Sequence, residues 1–384
     1  MIGKKSQIEV TFNWIYIAIA GAVIILFFVG IVMRQAQVSE EKLSADIVRI
    51  MNSILTGAGV SEKTKNTISS SGLVDYTLYF TCEGGISELG IKGKSARQYN
   101  AIDPVFVPGE IHSTQIILWS LPYMLPFKVA DFLLVAPVNR KFYLLSSDMG
   151  YVEEFLNVTE GFNREYIDSI EEIELSGDLS VRIIDADGMH IPFEPVPASL
   201  QPFDDSRVSA IVLREGEADY YQKDSSQKGN LAGGSSWKKL NKEPIKIISL
   251  GGERDAAKYA AIFAENDQVY QCNMLKAFKR LGMVTEIYGG SNIGSGEIGG
   301  KLKEMIDYYE MRPELSLSTE CTSYLTASEG NAVLALTLLK NKAKACELGL
   351  NAGGSLSACT DLISAAAKVK QVNKELRLSC ITLY

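Results

Sequence analysis

Hydrophobic positions along this chain fall into three regimes, and the first is a solid block. Residues 14–33, beginning at Trp14, form an apolar run of 20 with no charged side chain, between a polar head and Arg34. At about 1.5 Å per residue the run makes a helix of about 30 Å, the thickness of a bilayer's hydrocarbon core. A transmembrane helix is expected over 14–34, behind a short cytoplasmic leader at 1–13. A secretory signal would have a shorter apolar segment and a small-residue cleavage site, and Gly30-Ile31-Val32-Met33-Arg34 offers none. Beyond the block, residues 35–56 contain neither Pro nor Gly, and Leu43, Ile47, Ile50 and Ile54 recur at helical spacing. Val48, Met51 and Leu55 widen that stripe, so one face requires a partner. Gly57 and Gly59 close the helix, which gives an amphipathic helical stalk over 35–59.

The second regime, 60–252, is dominated by short strand-like runs at 76–82, 87–92, 115–121, 132–136 and 142–146. Glu83-Gly84-Gly85 joins the first two as a hairpin. Pro104, Pro108, Pro122, Pro126 and Pro137 argue against helix there. The polar stretch 64–72 reads as a loop. A helical period over 151–173 turns Phe155, Phe162, Tyr166 and Ile170 inward, and strands resume at 181–184, 208–213, 218–221 and 245–250. Residues 223–236 form a Gly/Ser/Lys-rich stretch expected to be a mobile loop. In the third regime, 253–384, the period is helical: 256–264, 269–287, 301–311, 331–348 and 356–376 all carry apolar faces. The fold class expected is α+β: an anchoring helix and stalk, a mixed α+β ectodomain, and a C-terminal helical domain stapled by disulfides.

Composition bears mainly on compartment. A net charge of −8 argues against a nucleic-acid partner and against a head that lies on anionic lipid. Lys4, Lys5 and the terminal amine precede the span, which favours a cytoplasmic N-terminus. The head then lies outside the cytoplasm, where an even count of six cysteines reads as disulfides. The candidates are Cys82, Cys272, Cys321, Cys346, Cys359 and Cys380, and five of them fall in the last third. The sequon Asn157-Val158-Thr159 makes Asn157 a glycosylation candidate.

No catalytic, cofactor or metal constellation emerges. Gly294-Ser295-Gly296-Glu297-Ile298-Gly299 matches a dinucleotide fingerprint, but a helix rather than a strand precedes it, so a helix–helix connection is expected. Ser249-Leu250-Gly251-Gly252 leads into a helix start at Asp255, which reads as a strand–helix connection with Asp255 near the N-cap. Asp185-Ala186-Asp187-Gly188 lacks the further oxygen ligands of a calcium loop and reads as a tight turn. The two histidines, His112 and His190, stand apart from each other, without the clustered ligands of a metal hydrolase. Tyrosine is plentiful, including the pairs at 220–221 and 308–309, and core packing is its simplest account.

Gly3-Lys4-Lys5-Ser6-Gln7-Ile8-Glu9 followed by one long half-apolar, half-amphipathic helix resembles the N-terminus of type IV pilin-like proteins. The head residues are similar to the archaeal class III leader, with Ser6 in place of the usual Gly and Glu9 two residues after Gln7 instead of four. The resemblance covers about the first 55 residues and implies leader cleavage and self-association through the helix. The function expected is that of a single-pass cell-surface protein with a structural or binding role and the bilayer as partner. A pilin-like filament subunit and an extracytoplasmic hydrolase using paired carboxylates stand as alternatives.

Overall fold

The computed structural model describes residues 5–59, 64–70, 76–174, 176–226, 235–315, 318–326, 331–378 and 380–384. Within the first helix, side chains are described at 19, 22, 25–27, 29, 33–35 and from 38 onward. Helix α1 (Lys5–Gly59) leads into β1 (Lys65–Ser69), β2 (Leu78–Glu83), β3 (Ile86–Ile91), β4 (Arg97–Asn100), β5 (Val105–Phe106), β6 (Glu110–Ile111), β7 (Gln115–Met124), β8 (Lys128–Pro137) and β9 (Arg140–Leu145). Helix α2 (Met149–Val158) follows, then β10 (Asn163–Tyr166), β11 (Ser180–Asp185), β12 (Val208–Arg214), β13 (Glu217–Asp224), β14 (Ser236–Lys239) and β15 (Ile245–Lys246). The chain ends in α3 (Ala256–Phe263), α4 (Asp267–Gly289), α5 (Gly300–Glu310), α6 (Ser318–Thr326), α7 (Ala332–Asn351) and α8 (Asp361–Leu376).

The long hairpin β7–β8 is the centre of the molecule, and its sequence shows why. Ile116-Ile117-Leu118-Trp119 is apolar at every position, as a strand covered on both faces should be. Successive side chains point to opposite faces, so Ile116, Leu118, Leu133 and Val135 enter one core while Ile117, Trp119, Phe132 and Leu134 enter another. The C-terminal part of α1 covers the first face. Helices α3 and α4 cover the second, where Trp119 meets Tyr259 edge-on at 5.3 Å and Phe263 at 6.0 Å. Strand β1 extends this sheet at one edge and β5 at the other, and the small antiparallel sheet β4–β3–β2–β6 sits beside it.

A second sheet runs in the order β10–β9–β11–β12–β13–β14, with β15 also pairing to β13. Its first four strands are parallel. Phe142, Leu144, Ile184 and Ile211 join the α3–α4 core, while Tyr143, Leu145, Ile183 and Val212 pack into a third core on the opposite face. The chain leaves β9 through α2 to β10 on one side, then returns past β9 to β11 on the other. A reversal of this kind opens a crevice at the carboxyl ends of the two central strands.

The mixed α+β architecture is as the sequence implied, and several particulars differ. The expected interaction stripe is displaced around the helix. Val48 and Met51 are 1% and 5% exposed, whereas Leu43 and Ile50 are 51% and 57% exposed. Ile47 and Ile54 flank the buried face, because the sheet takes a ridge centred on Ser44, Val48, Met51 and Leu55. The partner of the stalk is therefore the chain's own head. The division at 252/253 is no break in packing, since one continuous core joins Ile117 and Ile184 to α3, α4, α7 and α8.

Residues 65–69, expected as loop, pair with β7 from Lys65↔Trp119 to Ser69↔Gln115. This edge strand is mostly polar, with Ile68 packed against the α1 core and Lys65 lying over the Trp119 ring. The helix expected to 173 stops at Val158, and Gly161 at φ +95° turns the chain into β10. Of 245–250 only the first two residues pair. The loop expected at 223–236 begins and ends in strand, and its centre, 227–234, lies outside the described residues. No helix is long and apolar enough to cross a membrane among the described residues. The span expected over 14–34 falls largely on side chains outside them.

Candidate functional site

The carboxyl end of the second sheet, by the reversal between β9 and β11, gathers several perturbed ionisable groups. Three turns stand there. After β9, Ser146-Ser147-Asp148 leads into α2, with Asp148 accepting from the backbone N–H of Gly150 (3.0 Å) and Tyr151 (3.2 Å) as N-cap. After β11, Asp185 is buried and folds the next turn around itself. One of its oxygens accepts from Gly188 N–H (2.8 Å), and the other from His190 (2.9 Å) and Ile191 (2.8 Å). Gly188 has φ +65°, and a Cβ there would lie 2.0 Å from Arg214 Nε, so only glycine fits. Asp187 accepts from Ser147 N–H and, at 3.3 Å, from Ser146 Oγ, which ties the first two turns together. The third turn, Glu215-Gly216, connects β12 to β13.

Across the crevice, Ser249 to Lys258 brings in the start of α3. Asp255 caps that helix by accepting from Ala257 N–H at 3.0 Å. Lys258, one turn in, rests its ammonium 3.1 Å from the ring centroid of Tyr151. Among the described residues Lys258 has no hydrogen-bond or ion-pair acceptor. Burial lowers its pKa, and the charges of Glu154, Asp255, Asp148 and Asp187 partly oppose that effect. Burial likewise raises Asp255. Tyr151 is 9% exposed and among the described residues its hydroxyl has no partner, which is costly for a polar group removed from water. Glu154 accepts from the Tyr259 hydroxyl and from Arg254 N–H, each at 3.0 Å. The resulting cleft holds about 350 Å³ and is lined by Arg214, Glu215, Glu217, Gly251, Asp255 and Lys258 among others.

Searches for relatives give no guide to this site. No family model, no curated protein and no solved structure gives a significant match to the chain. What the arrangement can do is therefore read from its groups. It offers unpaired donors on Lys258 beside carboxylates already bound into the fold, in a concave site between the β12–β13 turn and the start of α3.

The residues singled out from sequence do not converge here. All six cysteines are paired: Cys82–Cys272, Cys321–Cys380 and Cys346–Cys359. The last two staple the C-terminal helices, while Cys82–Cys272 links residues 190 apart and ties the β2–β3 hairpin to α4. Beside that bridge, Lys276 Nζ donates to Ser87 Oγ (2.5 Å) and to the Asp103 carbonyl (3.0 Å), and burial draws its pKa down to about 7. Asn157 is exposed in the last turn of α2, while Thr159 of the same sequon is buried with its hydroxyl donated to the Phe155 carbonyl.

Gly299 lies in the α4–α5 connection, as the sequence implied. A Cβ on Gly290 would stand 2.6 Å from Gly299 Cα, so these glycines permit backbone contact. Asp185-Ala186-Asp187-Gly188 is a turn, and among the described residues no group of three or more His, Cys, Asp or Glu could hold a metal ion. His190 pairs with Glu194 at 2.8 Å. The sequence reading passed over Lys258, Tyr151, Glu154 and Arg214. The one available signal was that Asp148 and Asp185 each follow a strand-like run.

Proposed function

We propose that this chain is a membrane-tethered protein of the cell surface with a binding role, its N-terminus cytoplasmic and its head outside. One observation carries the reading: α1 is a single helix of 55 residues, about 80 Å long, and among its described side chains the buried ones begin at Ser44. The side chains of Ile25, Leu26, Val29 and Met33 are exposed on the remainder. A row of large apolar residues this long requires an apolar environment, and the uncharged run 14–33 is long enough to supply the spanning segment. Three disulfides that consume every cysteine suit an oxidising compartment.

A binding role is favoured over hydrolysis by the state of the crevice carboxylates. Asp255 and Asp148 cap helices, Glu217 pairs with Lys246 at 2.5 Å, and Glu154 and Asp187 hold neighbouring turns. Glu215 is the exposed carboxylate left on the lining, and these partnered groups do not leave it a second free carboxylate to work with. The tether is tested by alkaline carbonate extraction of membranes that carry the chain. Retention in the pellet, with trypsin reaching the head only from outside, is expected; release into the supernatant would remove the reading.

The seat of α1 on the β7–β8 sheet favours a second reading, a pilin-like filament subunit. Val48, Met51 and Leu55 seat the end of the helix in the head's core, which suits a helix that packs against its copies after leaving the bilayer. Mass spectrometry of the mature N-terminus decides between the two. Residues 1–5 still present would sink the filament subunit.

A further inference from the structure

We propose that the crevice beside Lys258 binds a neutral, hydroxyl-rich ligand, the end of a glycan chain. The inference rests on the binding role above and is independent of the tether. Charge balance is the first argument. Arg214 and Lys258 on the lining face Glu215 and Asp255, while Glu217 is occupied by Lys246. A lone anion would meet Glu215 and Asp255 as well as the two cations, and a lone cation would meet Arg214 and Lys258, so an ion of either sign finds like charge on the lining. The N-terminus of α3, otherwise a place for an anion, is already filled by the Asp255 carboxylate.

Hydrogen-bonding capacity is the second argument. The Lys258 ammonium brings three donors and finds no acceptor among the described residues. It gains from a ligand that accepts, and the carboxylates around it from one that also donates, which hydroxyls do and simple ions do not. Asp255, Glu154, Asp148 and Asp187 all lie within electrostatic reach of the same ammonium and supply acceptors on that side.

The third argument is the rim. Phe193 is 74% exposed and stands beside Arg214, whose guanidinium is 5.8 Å from its ring. An exposed aromatic face beside a polar floor matches a sugar ring, which presents C–H groups on its faces and hydroxyls on its edge. A volume of about 350 Å³ falls at the small end of ligand pockets, enough for a chain terminus.

The test is calorimetric titration of the full chain in detergent with maltotriose, chitotriose and mannotriose, alongside trigalacturonate and pyrophosphate as anionic probes. At least one neutral trisaccharide is expected to bind. Lys258→Met should weaken it by about 10-fold or more through loss of a charged donor. Phe193→Ala, at an exposed position that leaves folding intact, should weaken it by about 3- to 10-fold. Binding that survives both substitutions overturns the site. Saturation by an anionic probe and by no neutral sugar overturns the ligand class while leaving the binding role standing. No response to any probe, with amide exchange in residues 146–151 and 249–258 unchanged throughout, overturns both.

Discussion

Helices α1 and α4 lie on opposite faces of the β7–β8 sheet, yet they are held there by different means. Helix α1 is seated mainly by apolar burial through Val48, Met51 and Leu55, with a Glu40–Lys94 ion pair and the Ser120 hydroxyl donated to the Gly59 carbonyl at its margins. Helix α4 adds to its apolar face a buried polar set and a covalent bond. Asn273 accepts from Val105 N–H at 3.0 Å, Lys276 reaches Ser87 and the Asp103 carbonyl, and Cys272 is joined to Cys82. The α1 face is a small local core, whereas the α4 face belongs to a core that extends into both sheets and the C-terminal helices. The difference separates tolerance from cooperativity. A loss on the α1 face stays local, and a loss on the α4 face is felt across the head.

Substitutions can break or sharpen this contrast. Phe278→Ala empties the middle of the shared core, where Phe278 is buried, and should cost about 3–5 kcal/mol. Its denaturant midpoint is expected to fall equally by fluorescence and by circular dichroism; a split between the two probes would argue against one cooperative head. Replacing Cys82 and Cys272 together by Ser should cost about 2–4 kcal/mol, since the bridge closes a long loop. Leu55→Ala should cost about 2 kcal/mol, the low end for such truncations, because Leu55 lies at the rim of a small core. Amide exchange should then quicken in 44–58 and not in α4. Equal acceleration in both would erase the distinction between the faces.

A fourth expectation concerns pH. Lys276 holds its proton less tightly in the fold, at about 7, than in the unfolded chain, where 10.5 is ordinary. Between those values the unfolded chain carries a proton that the folded one lacks, so stability rises with pH across that window and gains nothing from this group below 7. The slope should approach about 1.4 kcal/mol per pH unit. It should vanish in Lys276→Met, as read from urea midpoints at pH 7, 8 and 9. Ile50→Ala, on the exposed side of α1, should stay within about 0.5 kcal/mol. A larger effect would mean that this side of the helix is covered in solution.

Much of the scaffold was legible because its signals are local. Glu83-Gly84-Gly85 does form the β2–β3 turn, with Gly84 and Gly85 at φ +58° and +82°. The helical periods after Asp255 became α3, α4, α5, α7 and α8. The errors share a cause. Residues 65–69 became a strand because β7 had a free edge, and no apolar pattern in those five residues says so. The stripe on α1 was misplaced by about one position because Ile47, Val48, Ile50, Met51, Ile54 and Leu55 give an apolar arc too wide to locate its centre. The crevice was illegible for the same reason. Tyr151 and Lys258 are 107 positions apart in the chain, and what joins them is the order of strands in the second sheet. Pairing of Cys82 with Cys272 was likewise beyond reach, since six cysteines leave many connectivities open.

The unbroken course of α1 has a mechanical consequence. Because its last turns are embedded in the head, the helix between Arg34 and Leu43 is a shaft with no joint, and orientation at one end is orientation at the other. An α-helix advances about 1.5 Å and turns about 100° per residue. Inserting one residue in that segment would raise the head only slightly but swing the Lys258 crevice by more than a quarter turn about the shaft. Seven residues would return it nearly to its first bearing, about 10 Å higher. Height and heading are thus geared together, and the length of a ten-residue segment sets the direction in which the head looks.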